Sequence, residues 1–168
     1  MDIHRHFDDQ IFRQALGCFA SGVTVVTSAH ESEIAGTTVA AFASLSLDPP
    51  LVLVCLDGTS ATRALIERSG VFAANVLALS QKALSDHFAK PRKTGDPHQF
   101  DDAPYTRGAT GSPILEGCHA FADCQVEAAH AGGDHRIYIG RVAALGFDAA
   151  GTKPLLYHAG RYRELKPE

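Results

Sequence analysis

The segment CHAFADCQVEAAHAGGDHRIYIGRVAALGFD, residues 118–148, decides the fold class. Its first half alternates apolar and polar residues from Ala122 to Ala128, and the alternation resumes at Ile137 after Gly132-Gly133. A period of two residues is typical of strands, and a two-glycine turn favours an antiparallel hairpin. The segment therefore predicts two long antiparallel strands.

Shorter runs rich in β-formers surround this hairpin. GVTVVTS at 22–28 is β-branched, and HESE at 30–33 turns it back into an extended run from Ile34. Pro49-Pro50 forbids a helix, so a new element begins at LVLVCL, residues 51–56. Because this run is apolar throughout, it predicts a strand that is buried on both faces.

Two more strands are predicted, at 71–79 and at 154–165. Three helices are expected, each beginning at a residue that can cap it: Asp8 to about Ala20, Ser60 or Thr62 to about Arg68, and Ser80 to near Ala89. Phe7 is placed to staple onto Phe12 in the first of them. The sum is a mainly β fold, an antiparallel barrel with peripheral helices.

Residues 90–111, KPRKTGDPHQFDDAPYTRGATG, interrupt this pattern with proline, glycine and charge. The segment is too long for a simple turn and too short for a domain linker. It predicts a functional surface loop with few apolar anchors, which is mobile until a ligand binds.

Length and composition describe an ordinary globular domain. The chain has 168 residues, of which 45% are hydrophobic and 20% charged, with a formal net charge of -4. A chain of this size buries a sizeable core without disulfides or a metal, so residues 1–168 are expected to form a single domain. The acidic balance provides no broad positive field for nucleic acid or anionic lipid, and neither is expected as a partner.

Cysteine usage and the first residues predict a cytoplasmic protein. The four cysteines form no CxxC pair, which suits a reducing compartment. The opening MDIHRHFDDQ is charged and lacks the apolar core of a signal peptide, and no apolar run reaches the length needed to span a bilayer.

The sequence lacks the motifs of several common enzyme classes and nucleotide-binding sites. The sequence contains no GxGxxG, Walker A or GxSxG string, so a Rossmann dinucleotide site, a P-loop and a serine hydrolase are not indicated. Nine histidines are present without HExxH or a Cys/His ligand cluster, and no metal site is expected.

Two clusters of hydroxyl residues point instead to a ligand. The first lies within GTTVAAFASLSLDPP at 36–50, and the second, Thr59, Ser60 and Thr62, stands at a helix start where N–H groups favour a phosphate. Exposed threonines at a strand edge would also explain the first cluster. Together the clusters could frame a flat, phosphorylated ligand. Lys90 and Arg63 are candidate phosphate partners, and ordinary solvated surface charges are the alternative for both.

Six motifs occur in an order that resembles the flavin reductase family of the FMN-binding split barrel, the small components of two-component flavin monooxygenases. They are GVTVVTS, GTTVAAFASLSLDPPLVLVCL, SATRALIERSGVFAANVLALSQKALSDHFA, GSPILEGCHAFADCQVE, GDHRIYIGRV and PLLYHAGRYREL. The resemblance implies a split β-barrel homodimer with flavin near the subunit interface. It also implies reduction of FMN or FAD by NADH or NADPH, and delivery of the reduced flavin to a separate oxygenase.

The resemblance also implies where the cofactors bind. The flavin-contacting positions are Thr37, Thr38, Val39, Ala40, Ser44, Leu45, Ser46, Cys55, Leu56, Ser60, Thr62, Phe88, Ala89 and Lys90. His135 of GDHRIYIG matches the catalytic, nicotinamide-contacting histidine, and Tyr162 matches a position near the reducing cofactor. The family often has two serines where this chain has Ala40 and Ala41, so contacts there are expected from the backbone.

Hydride transfer is carried by the cofactors, so the protein needs only to stack them, exclude water and tune charge. The alternative from another class is a flavin-binding or electron-transfer protein without turnover, and adaptation to another flavin or metal-corrin reduction is a third possibility. His135 distinguishes the reductase from the flavin carrier, because a carrier needs no nicotinamide site. A strand-end histidine facing water is the structural alternative for His135 itself.

Overall fold

The computed structural model describes residues 3–93 and 95–165. The elements follow in the order α1 (Asp9–Leu16), β1 (Ser21–Gly22), β2 (Thr24–His30), β3 (Glu33–Val39), β4 (Phe42–Leu47), β5 (Pro50–Asp57), α2 (Ala61–Ser69), β6 (Val71–Val76), a 3₁₀ turn (Leu79–Gln81), α3 (Lys82–Phe88), β7 (Tyr105–Arg107), β8 (Pro113–Leu115), β9 (Ala120–Gly132), β10 (His135–Phe147), β11 (Leu156–His158) and β12 (Arg161–Arg163).

Seven strands form the main sheet in the order β3-β2-β6-β9-β10-β5-β4, and the pairs within it are antiparallel. β3 also contacts β5, so the sheet curls towards closure. Two small sheets, β1-β11-β12 and β7-β8, flank it. The predicted mainly β, antiparallel fold with peripheral helices is confirmed. Within the described residues, no helix is long and apolar enough to cross a membrane.

The long hairpin predicted at 118–148 is present as β9 and β10. His135 pairs with Gly132, and Gly133 between them has φ +69. This left-handed conformation is readily adopted by glycine, which explains the tight reversal. The hairpin forms the middle of the main sheet and carries His135 at the first position of β10.

β5 corrects the prediction of a strand buried on both faces. Val52, Val54 and Leu56 are buried in the core between the sheet and α2. Leu51, Leu53 and Cys55 alternate with them and stay partly exposed. The wall of a curled sheet buries its inner face, and in this single chain the outer face of β5 is only half covered.

Two of the three helices, α1 and α3, are shorter than predicted, whereas α2 matches its expected range. Asp8 caps α1, its Oδ1 accepting from the Ile11 N–H at 2.9 Å, and Phe7 stacks on Phe12 as expected. The helix ends at Leu16 rather than near Ala20 because Gly17 closes it. Of the two predicted start residues, Ser60 caps α2 and Thr62 lies inside the helix.

The prediction that Ser80 caps α3 is wrong. Ser80 lies inside a 3₁₀ turn rather than at a cap, and the Gln81 side chain instead accepts from the Ala78 N–H at 3.0 Å. The preceding strand, predicted to reach residue 79, ends at Val76.

Two more expectations are corrected. The tail forms a hairpin of two strands, because Ala159 and Gly160 both have positive φ, as a tight turn between antiparallel strands requires. Residues 90–111 are anchored in the middle, where Gln99, Phe100 and Ala103 are buried. Phe100 packs in a second core cluster with Phe88. Thr94 of this segment lies outside the described residues.

Candidate functional site

A cavity of about 270 Å³ opens at the N-terminus of α2, and we call it the α2 pocket. Its lining comes from β3, the end of β5, the start of α2 and the chain after α3: Gly36, Thr37, Asp57, Thr59, Ser60, Ala61, Thr62, Ala89, Lys90, Pro91 and Arg92. The fold thus brings together five predicted residues from three distant segments: Thr37, Ser60, Thr62, Ala89 and Lys90.

The helix start supplies hydrogen-bond donors to this pocket. Ser60 Oγ accepts from the Arg63 N–H at 3.4 Å, a long bond that satisfies one of the first N–H groups of α2. The remaining N–H groups of a first helical turn have no partner inside the helix, and the helix dipole favours an anion beside them. A hydroxyl and a helix N-terminus therefore face the same cavity.

Charges of both signs line the α2 pocket. Asp57 Oδ1 accepts from the Thr59 hydroxyl at 2.6 Å and from the Thr59 N–H at 2.7 Å, and these bonds lower the pKa of the Asp57 carboxyl. Arg92 is paired with Asp96 at 2.9 Å. Lys90 is exposed and, within the part of the chain that is described, has no carboxylate at ion-pair distance. Its ammonium is the available cation for a phosphate.

A second cavity of about 200 Å³ adjoins the first at Ala89, and we call it the tyrosine pocket. Its lining is Val23, Thr38, Val39, Ala40, Ser85, Ala89, Tyr157 and Tyr162. Thr38, Val39, Ala40 and Tyr162 were predicted site residues. The two cavities together follow β3 from Gly36 to its end, which suits an elongated ligand with a flat part.

Tyr162 is held in place by its hydroxyl. It donates to Asp86 Oδ1 at 2.7 Å and lies 2.9 Å from Ser85 Oγ, while the Tyr157 ring meets it edge-on at 5.5 Å. Burial is the main cause of the raised pKa of the Tyr162 phenol, so the group stays neutral near pH 7. Tyr162 therefore contributes its aromatic ring to the wall of the pocket, and its neutral hydroxyl remains bound to Asp86.

His135 does not line the α2 pocket, but it lies opposite Asp57, which does. It is the register partner of Asp57 across the β5–β10 pair, so the two side chains lie on the same face of the sheet. His135 Nδ1 lies 2.7 Å from Asp134 Oδ1, and the Asp134 carbonyl accepts from the Gly58 N–H at 2.8 Å. These contacts orient a ring whose side chain is 44% exposed.

Several predicted residues are placed elsewhere. Leu56 and Phe88 have buried side chains and line neither cavity, so a ligand outside the core could reach them only through the main chain. Thr62 lines the α2 pocket, but its side chain is buried as well. Ser44, Leu45 and Ser46 lie on β4, the other edge of the sheet, and Cys55 lies on the outer face of β5; none of these four lines either cavity.

Arg63 corrects the expectation of a phosphate partner. Its Nη1 is 2.8 Å from Glu67 Oε1 in an i,i+4 pair, and the residue does not line the α2 pocket. Arg63 lies in the first turn of α2, and its side chain extends to the next turn of the helix instead of to the N-terminus.

The sequence reasoning missed some lining residues. Gly36 and Arg92 were not singled out, although Arg92 follows Lys90 by two residues, and Ser85 and Tyr157 were missed in the tyrosine pocket. A larger, open depression of about 540 Å³ beside α1 contains none of the predicted residues. Its lining is Asp9, Gln10, Arg13, Gln14, Ala159 and Gly160.

Comparison with known proteins identifies the family. Residues 16–166 match the model described as flavin reductase like domain. The chain is 41% identical over 161 residues, 96% of its length and 80% of the relative's, to the HsaB reductase subunit of a flavin-dependent monooxygenase from Rhodococcus jostii (strain RHA1). It is 37% identical over 166 residues, 96% and 92% of the two chains, to the NADH-dependent flavin reductase StyB of Pseudomonas fluorescens.

A solved structure agrees. The NADH:FAD oxidoreductase SgcE6 of Streptomyces globisporus C-1027 superposes with a TM-score of 0.89 at 33% identity, covering 99% of this chain and 100% of that one. The expected split β-barrel is confirmed by such neighbours. The chain belongs to the flavin reductase like domain family.

Proposed function

We propose that this chain is an NAD(P)H-dependent flavin reductase that transfers a hydride from the nicotinamide to FMN or FAD and supplies reduced flavin to a separate oxygenase. The observation that carries the proposal is the pair of adjoining cavities along β3, one with phosphate-binding groups and one with an aromatic wall. Relatives named NADH-dependent flavin reductases support the same activity.

The residues present fit a flavin phosphate. A hydroxyl from Ser60, the N-terminus of α2 and the Lys90 ammonium converge on the α2 pocket, and this combination of donors is the one that binds phosphate in proteins. Thr37 lies across the cavity and can hydrogen-bond the chain that follows the phosphate. The flat ring would extend along Thr38, Val39 and Ala40, with contacts from the backbone.

When bound, the two cofactors supply the hydride chemistry themselves. The protein's part is to orient them and to exclude water. We assign His135 to the nicotinamide, because its ring is oriented by Asp134 and stands beside the pocket at the first position of β10. Tyr162 closes the far side of the tyrosine pocket, and its tethered hydroxyl keeps the ring in one orientation.

We propose further that the protein is a homodimer whose interface includes the outer face of β5 and β10. Leu51, Leu53, Ile137 and Ile139 form a half-exposed apolar stripe there. The stripe continues towards large exposed side chains at the other end of the sheet: Leu45, Leu47, Leu145 and Phe147. A monomer gains nothing from exposing such a patch, whereas a second copy would bury it.

His135 and Asp57 lie on the same outer face as this stripe. A second copy seated there would therefore approach the α2 pocket and help to close it. The same arrangement would cover Ser44, Leu45 and Ser46 on β4, which is how these predicted residues could meet a flavin.

We also place the protein in the cytoplasm and expect residues 1–168 to act as one reductase domain. The four free cysteines support a reducing compartment. The partner oxygenase is inferred from relatives named as reductase subunits of monooxygenases.

The activity is tested directly by mixing the purified protein with FMN or FAD and with NADH or NADPH, and following the loss of nicotinamide absorbance. Turnover with at least one pair is expected. A protein that binds flavin tightly but consumes neither nicotinamide would be the non-catalytic carrier, and the proposal would fail.

A further inference from the structure

Gln99 joins the two segments that line the α2 pocket. The side chain is 3% exposed, and both ends of its amide bind the same residue on β3. Gln99 Oε1 accepts from the Gly36 N–H at 3.0 Å, and Gln99 Nε2 donates to the Gly36 carbonyl at 2.8 Å. The amide thus pairs with β3 as a neighbouring strand would.

The position of β3 explains why such a partner is needed. β3 is the edge of the seven-stranded sheet, so some of its N–H and C=O groups face away from β2 and lack a strand partner. Buried groups of this kind destabilise a fold when they have no hydrogen bond. Gln99 satisfies both of these groups at Gly36, directly before Thr37 in the pocket lining.

α3 holds the same junction from another side. A side chain at Gly36 would meet the Phe88 ring at 2.8 Å, so glycine permits the close contact between β3 and α3. His87 Nε2 donates to the Gln99 carbonyl at 2.7 Å. The end of α3, Gly36 and Gln99 therefore meet at one point, and Lys90 and Arg92 follow directly after α3.

We propose that Gln99 is a positioning residue for flavin phosphate: it fixes the Lys90–Arg92 loop against β3 so that the loop's cations face the α2 pocket. The inference rests on the proposed flavin site and adds to it a residue outside the pocket lining. Gln99 touches neither cavity, so its effect on a ligand would pass through Gly36 and the loop.

FMN and riboflavin separate positioning from general stability, because riboflavin has the same ring and lacks the phosphate. Gln99→Met keeps the length and approximate volume of the side chain and removes both hydrogen bonds to Gly36. In this variant we expect the dissociation constant for FMN to rise about tenfold, and the dissociation constant for riboflavin to change less than about threefold. The KM for FMN should rise while kcat at saturating flavin stays within about twofold.

Gln81→Met is the matched control. Gln81 is also a buried glutamine with two main-chain bonds, to the Ala78 N–H and the Glu116 carbonyl, but it lies away from the α2 pocket. Gln81→Met should lower Tm without changing the preference for FMN over riboflavin. Gln99→Glu keeps the acceptor for the Gly36 N–H and loses the donor to the Gly36 carbonyl. We expect its preference for FMN over riboflavin to lie between those of the parent and Gln99→Met. This variant provides the test if Gln99→Met does not fold.

A selective loss of FMN affinity in the Gln99 variants supports the proposal. Equal losses of FMN and riboflavin, unchanged affinity for both, or a parent protein that does not prefer FMN would overturn it. Turnover of NADH and flavin by the parent protein is measured in the same preparations, so a failure of the reductase proposal is recognised separately.

Discussion

His135 and Asp57 are opposite residues on β10 and β5, so the histidine assigned to the nicotinamide lies beside the carboxylate that lines the α2 pocket. From this relationship we infer that the dinucleotide approaches the proposed flavin site at this end of the β5–β10 strand pair. Asp57 is held by Thr59 and remains ionised at neutral pH.

Replacing His135 with alanine should raise the KM for the nicotinamide, slow hydride transfer, or both. The flavin dissociation constant should stay within about threefold, because other strands hold the flavin. Rapid-mixing kinetics at low NADH and low NADPH separates these steps. His119→Ala is the matched control, since His119 bonds Thr152 near the opposite end of the β9–β10 hairpin. Parental flavin reduction by His135→Ala would make His135 a solvent histidine and favour a carrier.

The double variant Thr37→Ala/Ser60→Ala should weaken flavin binding, with each hydroxyl contributing roughly 0.5 to 1.5 kcal/mol. Ser60 also caps α2, and loss of a cap costs about 1 kcal/mol of stability, so Tm falls as well.

Ser60→Asp distinguishes these two roles. Aspartate caps a helix well but would repel a phosphate, so this variant should keep Tm near that of the parent and lose FMN affinity. Flavin fluorescence titration and thermal melts provide both readouts. Unchanged FMN affinity in Ser60→Asp would remove Ser60 from the site.

Hydrogen exchange should divide residues 90–111 into two parts. Residues around Gln99, Phe100 and Ala103 are buried and should exchange slowly with or without ligand. Residues 89–92 border the α2 pocket, and their exchange should slow when FMN is added. Equal exchange in 89–92 with and without flavin would contradict the binding role of Lys90.

A charge on the outer face of β5 tests the dimer. Leu53→Arg should yield a monomer at micromolar concentration in light scattering, because an unpaired arginine in an apolar interface is strongly unfavourable. Leu53→Ala removes volume without charge and should remain dimeric. If the parent protein is itself a monomer, the shared-interface proposal is wrong.

The local signals in the sequence were sufficient for much of the fold. Alternation from Ala122 to Ala128 and the Gly132-Gly133 pair predicted the β9–β10 hairpin, and Ser60 was recognised as a helix cap. Such patterns depend on neighbours a few residues apart, which the chain itself specifies. Helix ends were less predictable: Gln81, rather than Ser80, satisfies the backbone before α3, and that choice depends on packing.

Hydroxyl clusters and the family motifs, read from the sequence, pointed to Thr37, Ser60 and Lys90, and the structure brings these three into one cavity. Tertiary structure alone decided that Gln99 joins β3 to the chain after α3. Gln99 and Gly36 are 63 residues apart, and their contact exists because the edge of a sheet leaves main-chain groups that another part of the chain must satisfy. No local pattern of residues specifies which side chain will do so.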